Sequence, residues 1–428
     1  MRHMRILFYS TSSNHYDGEA IKTTTFPSWS EQWDFLASKH PEHEFIIVTQ
    51  LPGMFLLDVE KNEIAKKSSK IRYQILQSDK EKQIAEELAC LKPDLAVALS
   101  FYVMPYDWLP IKDAIVADFL RSAGIRTICH SVETSLICFD KWQTHQFLEK
   151  IGVPCAKAVY LHHELYINAG NRREIKSNVF TTAVFHQIKK LNFPLIIKDT
   201  TGLSSFGADV VHSYDDAIGI LRSKKTTSDR IIEEMIQGIQ AGAEIYGIHD
   251  GTHGMYTVFP PFLFSVNQYG ITSPKQSEKT GPITKSSPLY EKYKIAELTA
   301  LLLKLADELQ LNGIAQIDLV FNGKNWFVIE INPRLSGMST SYAASSNRFL
   351  SELIWEEIIE RCLSESFSTS EKIFRQTINQ KIPLLGKEEL NALFSRPEVV
   401  FVHQIENKAA KQIREQGYCE VISTTEKD

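Results

Sequence analysis

The 428-residue sequence has no apolar run near the roughly 18 residues that a membrane-spanning helix needs. Its start carries only Ile6-Leu7-Phe8 as an apolar stretch, too short for the core of a secretion signal. A basic surplus is also missing: 47 Lys and Arg stand against 52 Asp and Glu, a formal charge of -5. That balance argues against nucleic-acid binding, while leaving room for one basic cleft. No two of the six cysteines (Cys90, Cys129, Cys138, Cys155, Cys362, Cys419) stand at C-x-x-C spacing, so no zinc or dithiol motif is indicated. Scattered thiols without a signal segment fit a reducing, cytoplasmic setting and no membrane partner. There is no internal repeat and no low-complexity tract. The first apolar segment opens into Thr11-Ser12-Ser13-Asn14-His15 rather than a Gly-rich turn, which removes support for a dinucleotide site.

What remains is the composition of a globular protein long enough for two or three domains, 43% hydrophobic and 23% charged. Met4–Ser10, Glu44–Gln50 and Asp94–Ser100 read as buried strands, with a helix over Asp79–Leu91 between the last two. Strands alternating with helices imply a parallel α/β sheet. A boundary falls near 125 to 135, before a helix that stops at Gly152 and Pro154. Pro194–Lys198 and Ile231–Ile236 are further strands. Pro260–Pro288, rich in Pro, Ser, Gly and Lys, reads as a long functional loop. Tyr290–Leu311 reads as one amphipathic helix with Ile295, Leu298, Leu302, Leu305 and Leu309 on its apolar stripe, closing at Asn312-Gly313. After a helix over Phe349–Leu363, the segments Glu398–His403, Asn407–Gln416 and Cys419–Ser423 read as strand, helix, strand.

The strongest signal is Asn312–Ser339, two apolar strands around the turn Asn322-Gly323. Alternation along the second strand sends Trp326, Val328, Glu330 and Asn332 to one face, and Phe327, Ile329 and Ile331 to the other. A three-residue loop, Asn322–Lys324, places Asp318 opposite Val328 and diagonal to Glu330; a two-residue loop would turn Asp318 away. The odd loop is the expectation. Two carboxylates and an amide on one rigid face suit Mg²⁺, a hard ion that prefers oxygen ligands. Arg334, just past Asn332 and Pro333, adds a permanent cation suited to a phosphate or an oxyanion.

Glu-Ile-Asn-Pro-Arg at a strand end, with an Asp twelve positions before the Glu, resembles the ATP-grasp superfamily of ligases. The matched stretches run from about Asp118 to Ser346. The resemblance implies a fold of α/β and α+β class. It consists of an N-terminal parallel α/β domain (1–125), a two-lobed ATP-grasp domain (126–350) and a small C-terminal α+β module (351–428) on the substrate side. It further implies ATP and two Mg²⁺ ions (or Mn²⁺), with Asp318, Glu330 and Asn332 as metal ligands and Arg334 at the acyl phosphate. On the nucleotide side it implies Lys141 and Lys198 at the phosphates. The loop carrying Gly202, Ser204, Ser205 and Gly207 closes over them, and Glu233 with the backbone of Met235 or Ile236 meets adenine. The family's ribose Glu is replaced here by Gln240, with Glu244 four residues further on. Ser336, Gly337 and Met338 resemble a stretch that meets a substrate carboxylate, which favours an amino acid substrate.

The function implied is an ADP-forming carboxylate–amine ligase that acts on small molecules through an acyl phosphate. Catalysis rests on Lys198 and Arg334, and Pro260–Pro288 with Lys275, Lys279 and Lys285 serves as a lid. Many relatives in the family are dimers, and the sequence shows no interface stripe of its own. The alternatives within the same core are a small-molecule kinase, which would want a more basic pocket, and a biotin-dependent carboxylase. The latter is disfavoured because no biotinyl Met-Lys-Met sequence is present. A non-catalytic ATP-binding regulator is the alternative outside the enzymes.

Overall fold

A computed structural model describes residues 3–11, 21–50, 56–61, 63–101, 109–167, 179–202, 208–222, 228–266, 278–364, 372–407 and 416–425. The first strands pair in parallel in the spatial order Arg72–Ile75, Glu44–Thr49, Arg5–Ser10, Leu95–Ala98, Arg126–Ile128. Their near-continuous apolar sequences suit a sheet covered on both faces. Ile6 and Phe8 pack to one side and Leu7 and Tyr9 to the other, in two separate cores. The helix Trp29–Lys39 starts at a capping box in which Ser28 Oγ accepts from the Glu31 amide and the Glu31 carboxylate accepts from the Ser28 amide. The strand Arg126–Ile128 completes this sheet, so the N-terminal unit extends past the expected edge at 125.

A four-stranded antiparallel sheet follows, in the order Asp209–Val211, Leu195–Asp199, Arg230–Glu234, Ala158–Leu161. Helices Val179–Ile188 and Tyr214–Leu221 cover it and bury Ile188, Leu195, Ile197, Leu221 and Ile232. The chain then enters a twelve-stranded sheet at Ile239–His249, a strand flanked by Phe262–Phe264 and by Gly313–Phe321. The amphipathic helix packs its stripe of Ile295, Leu298, Leu302, Leu305 and Leu309 beneath this sheet. It is broken in two, Leu289–Lys292 and Ile295–Glu308, where Lys294 takes φ 52. Leu350–Leu363 is helical as expected, with a π-helical turn over Trp355–Ile359.

The C-terminal strands Thr377–Ile382, Gly417–Thr424 and Val399–Asn407 extend the same sheet through Lys279–Gly281, rather than standing apart as a module. The N-terminal segment Ile21–Phe26 closes onto Val399–Asn407 from the far side. Trp29, Trp33, Trp355 and Phe401 share one core across these segments. The expected helix over Asn407–Gln416 lies almost wholly outside the described residues. All six cysteines are free; Cys90 is exposed. Among the described residues no helix is long and apolar enough to cross a membrane.

Candidate active site

Phe321 pairs with Trp326, so the hairpin turn holds four residues, Asn322–Asn325, and the expected three-residue loop is not formed. Asn322 supplies the reason: its Oδ1 accepts the amides of Lys324 (3.0 Å) and Asn325 (2.8 Å). An even turn alone would face Asp318 away from Glu330. Ile329, however, is an extra residue on the second strand, and this bulge resets the side-chain alternation. Asp318 therefore lies directly opposite Glu330, and Gln316 directly opposite Asn332. The same bulge corrects the expected faces of Trp326 and Val328, which join Ile317, Leu319 and Ile331 in the core.

The site face is one hydrogen-bonded chain. Arg334 Nη2 donates to Asn332 Oδ1 (3.0 Å), Asn332 Nδ2 to Gln316 Oε1 (2.9 Å), and Gln316 Nε2 to Asp318 Oδ1 (2.7 Å). Arg334 also donates to the Leu335 carbonyl (2.9 Å) and lies over the Phe101 ring. Burial, and after it the Glu330 charge, pushes the Asp318 carboxyl above the usual carboxylate range. Burial acts on Glu330 too, but Lys141, Lys198 and Arg334 outweigh it and hold that carboxyl low. Two facing acids of this kind fit a hard divalent cation. Among the described residues no group of three or more His, Cys, Asp or Glu side chains could hold a metal. An ion here would take two carboxylates and complete its shell with the Asn332 amide oxygen, water or phosphate, as Mg²⁺ does.

The cations expected at the phosphates converge on the same place. Lys141 Nζ donates to the Gly202 carbonyl (2.7 Å) and lies 3.2 Å from Glu330 Oε1, tying the Gly-rich loop to the acidic hairpin. Lys198 pairs with the Glu233 carboxylate on the neighbouring strand, so this acid, expected at adenine, holds the lysine. The Met235 amide donates to the Pro194 carbonyl (2.9 Å), which fixes the start of the segment 235–238 expected at adenine. Gln240 sits two residues before Gly242, which faces Asp318 across the strand pair. Ser204, Ser205, Gly207 and Lys275 lie outside the described residues.

Beyond Arg334 the expected substrate residues divide. The Ser336 hydroxyl turns inward to Glu244 Oε1 (2.7 Å), and Met338 is buried with its amide donating to Ser336 Oγ (2.9 Å). Glu244 also accepts from Ser339 (2.7 Å) and Tyr246 (2.7 Å); burial drives it up to about 7 against these bonds. It is a buried support for the loop. Gly337 remains toward the cleft, near Lys279: a Cβ there would lie 3.6 Å from Lys279 Nζ. Lys279 is strand-borne, buried and 3.8 Å from Glu420 Oε1, so it belongs to the floor of the site rather than to a lid. Burial pushes its ammonium down to about 8.

Residues 138–338, which include the hairpin, match the ATP-grasp domain family. The chain carries an ATP-grasp domain. The arginine-specific large chain of carbamoyl phosphate synthase from Geobacillus stearothermophilus is 23% identical over 197 residues, 46% of this chain and 16% of that one. D-alanine–D-alanine ligase from Bacillus anthracis is 26% identical over 136 residues, 32% of this chain and 40% of that one. The chain thus spans less than half the length of either relative. The L-amino acid ligase of Bacillus licheniformis shares the fold at TM-score 0.60 and 14% identity, over 99% of this chain and 94% of that one. The match covers the four-stranded sheet that carries Lys198, the hairpin that carries Glu330 and the segment 235–238.

Proposed function

We propose that the chain is an ATP-dependent ligase that joins a small carboxylate, activated as an acyl phosphate, to an amine, releasing ADP and phosphate. At least one substrate is an amino acid. The observation that carries this is the convergence of Asp318, Glu330, Asn332 and Arg334 on one face, with Lys141 and Lys198 beside them.

Asp318 and Glu330, with Asn332, would hold Mg²⁺, which would supply positive charge to offset that of the phosphates. Lys198, released from Glu233, and Lys141 meet the triphosphate as point charges. The carboxylate oxygen attacks the γ-phosphorus in line, so the protein's part is positioning and electrostatic stabilisation. The amine then attacks the acyl carbon, and the developing oxyanion is stabilised by Arg334, a role worth about 3 kcal/mol. Phosphate leaves with one proton of the amine, and no side chain serves as a covalent nucleophile. The strands beyond residue 351 form the substrate-side wall through Lys279 and Glu420. A cytoplasmic, homodimeric protein belongs to the same reading.

The test is to supply Mg-ATP with pools of amino acids and to assay nucleotide and phosphate. ADP and phosphate formed only when amino acids are present is the expected result. AMP with pyrophosphate would overturn the acyl-phosphate route.

A further inference from the structure

A pocket open to solvent lies at the carboxyl end of the N-terminal sheet. Ser100, Asp113 and His130 line one wall; Pro333 and Arg334 line the other. Its place in the sheet is distinctive. Arg5–Ser10 is followed by strands on one side, Glu44–Thr49 and Arg72–Ile75, and then by strands on the other, Leu95–Ala98 and Arg126–Ile128. In open parallel sheets the crevice at such a reversal is where ligands collect.

Asp113, on the helix Leu109–Ser122, stands in that crevice at 5% exposure. The hydroxyls of Thr11 and Ser100 both donate to its Oδ1, Ser100 at 2.8 Å. The Thr11 backbone adds a hydrogen bond and Lys112 a favourable charge, but among the described residues no cation forms an ion pair with the carboxylate. Burial pushes the acid up to about 6. A buried carboxylate without an ion pair is unfavourable, and a bound cationic group would relieve the cost. His130 does not compete for it. Its ring spans the Asn312 amide (3.1 Å) and the Ile314 carbonyl (2.9 Å), which fixes the hairpin to the first sheet.

A ligand spanning the cavity therefore meets a guanidinium beside the phosphate site at one end and an unpaired carboxylate at the other. That polarity matches an amino acid whose carboxylate points to Arg334 and whose ammonium points to the sheet. We propose that the substrate activated at the γ-phosphate is an amino acid, and that Asp113 binds its ammonium group. The inference rests on the ligase reading above. Thr11 and Ser100 hold Asp113 in place, and the ammonium, which takes no part in the bond being made, stays charged throughout. Its charge-assisted hydrogen bonds then discriminate against acids that lack it.

Hydroxylamine can replace the second substrate, so that acyl hydroxamate reports activation alone. The probes are L-amino acids and matched 2-hydroxy acids with the same side chains, each with Mg-ATP. Wild type is expected to favour the amino acids in kcat/KM by roughly 10- to 100-fold. Asp113→Asn should lose that preference through a raised KM for the amino acid, with KM for ATP measured alongside. Asp113→Asn with its preference intact overturns the inference. So does wild type that activates both series alike, a result that needs no variant to fold. Hydroxamate from no carboxylate at all would instead overturn the ligase reading itself.

Discussion

Asp318 faces Glu330 across the hairpin only because Ile329 stands unpaired in the second strand. The same register brings Gln316 between Asp318 and Asn332, with a hydrogen bond to each. Gln316 thus orients two proposed metal ligands without being one. Gln316→Leu is expected to weaken the Mg²⁺ or Mn²⁺ dependence of ADP formation by roughly 10- to 100-fold, as for other residues that orient ligands. Metal titration at saturating nucleotide measures it; an unchanged half-saturation would show that the two ligands hold their orientation without the amide.

Arg334 is anchored to the Asn332 side chain and the Leu335 carbonyl, which fixes its guanidinium beside the acidic hairpin. Its expected work lies in the acyl-transfer step. Arg334→Ala should leave nucleotide affinity nearly intact and lower turnover by about 10²- to 10³-fold. Nucleotide binding by calorimetry, set beside steady-state ADP release, separates the two effects. A loss confined to affinity would assign the guanidinium to the nucleotide.

The hairpin was legible because Glu-Ile-Asn-Pro-Arg is local and its chemistry is carried by residue type. The parity of the hairpin was not. The turn length set by Asn322 and the bulge at Ile329 are two departures that cancel, so the expected juxtaposition of Asp318 and Glu330 holds for a different reason. Gln316, two residues before Asp318, could have been found from strand alternation alone. Asp113 could not, because no nearby motif marks it and its partners Thr11 and Ser100 lie on other strand ends. Lys279 looked like a lid residue in a stretch without period, and only its pairing with Asn379 shows it as part of a sheet. Pairing between Ile21–Phe26 and Val399–Asn407 was hidden for a related reason: it joins opposite ends of the chain.

Glu244 makes stability depend on pH. Its carboxyl keeps a proton up to about 7 in the folded protein, against an ordinary value of 4.5. The folded state therefore binds more protons than the unfolded one between these values, and the stability drawn from that proton is lost as pH rises through them. The full excursion corresponds to roughly 3 kcal/mol. Glu244→Gln, which keeps an acceptor for Ser336 and Ser339, should flatten this loss. Thermal melts of the two proteins from about pH 5 to about pH 8 should shift in favour of the variant as pH rises. Parallel curves would mean that the acid is ionised in the fold.

Gly242 faces Asp318 from the adjacent strand, where even a methyl group has no room. A Cβ at this position would lie 2.3 Å from Phe264 Cζ and 2.7 Å from Met338 Sδ. Met338 is buried and tied to the loop that Glu244 supports, so the Phe264 ring is the part that must move. Gly242→Ala is expected to cost about 1–3 kcal/mol by overpacking. Paired with Phe264→Leu, which vacates the space the new methyl needs, the double variant should recover much of that loss, a coupling that additive effects would not produce. If Gly242→Ala is equally destabilising with and without Phe264, the strain lies at Met338 instead. The loop after Arg334 would then be the element displaced, and turnover would fall along with stability.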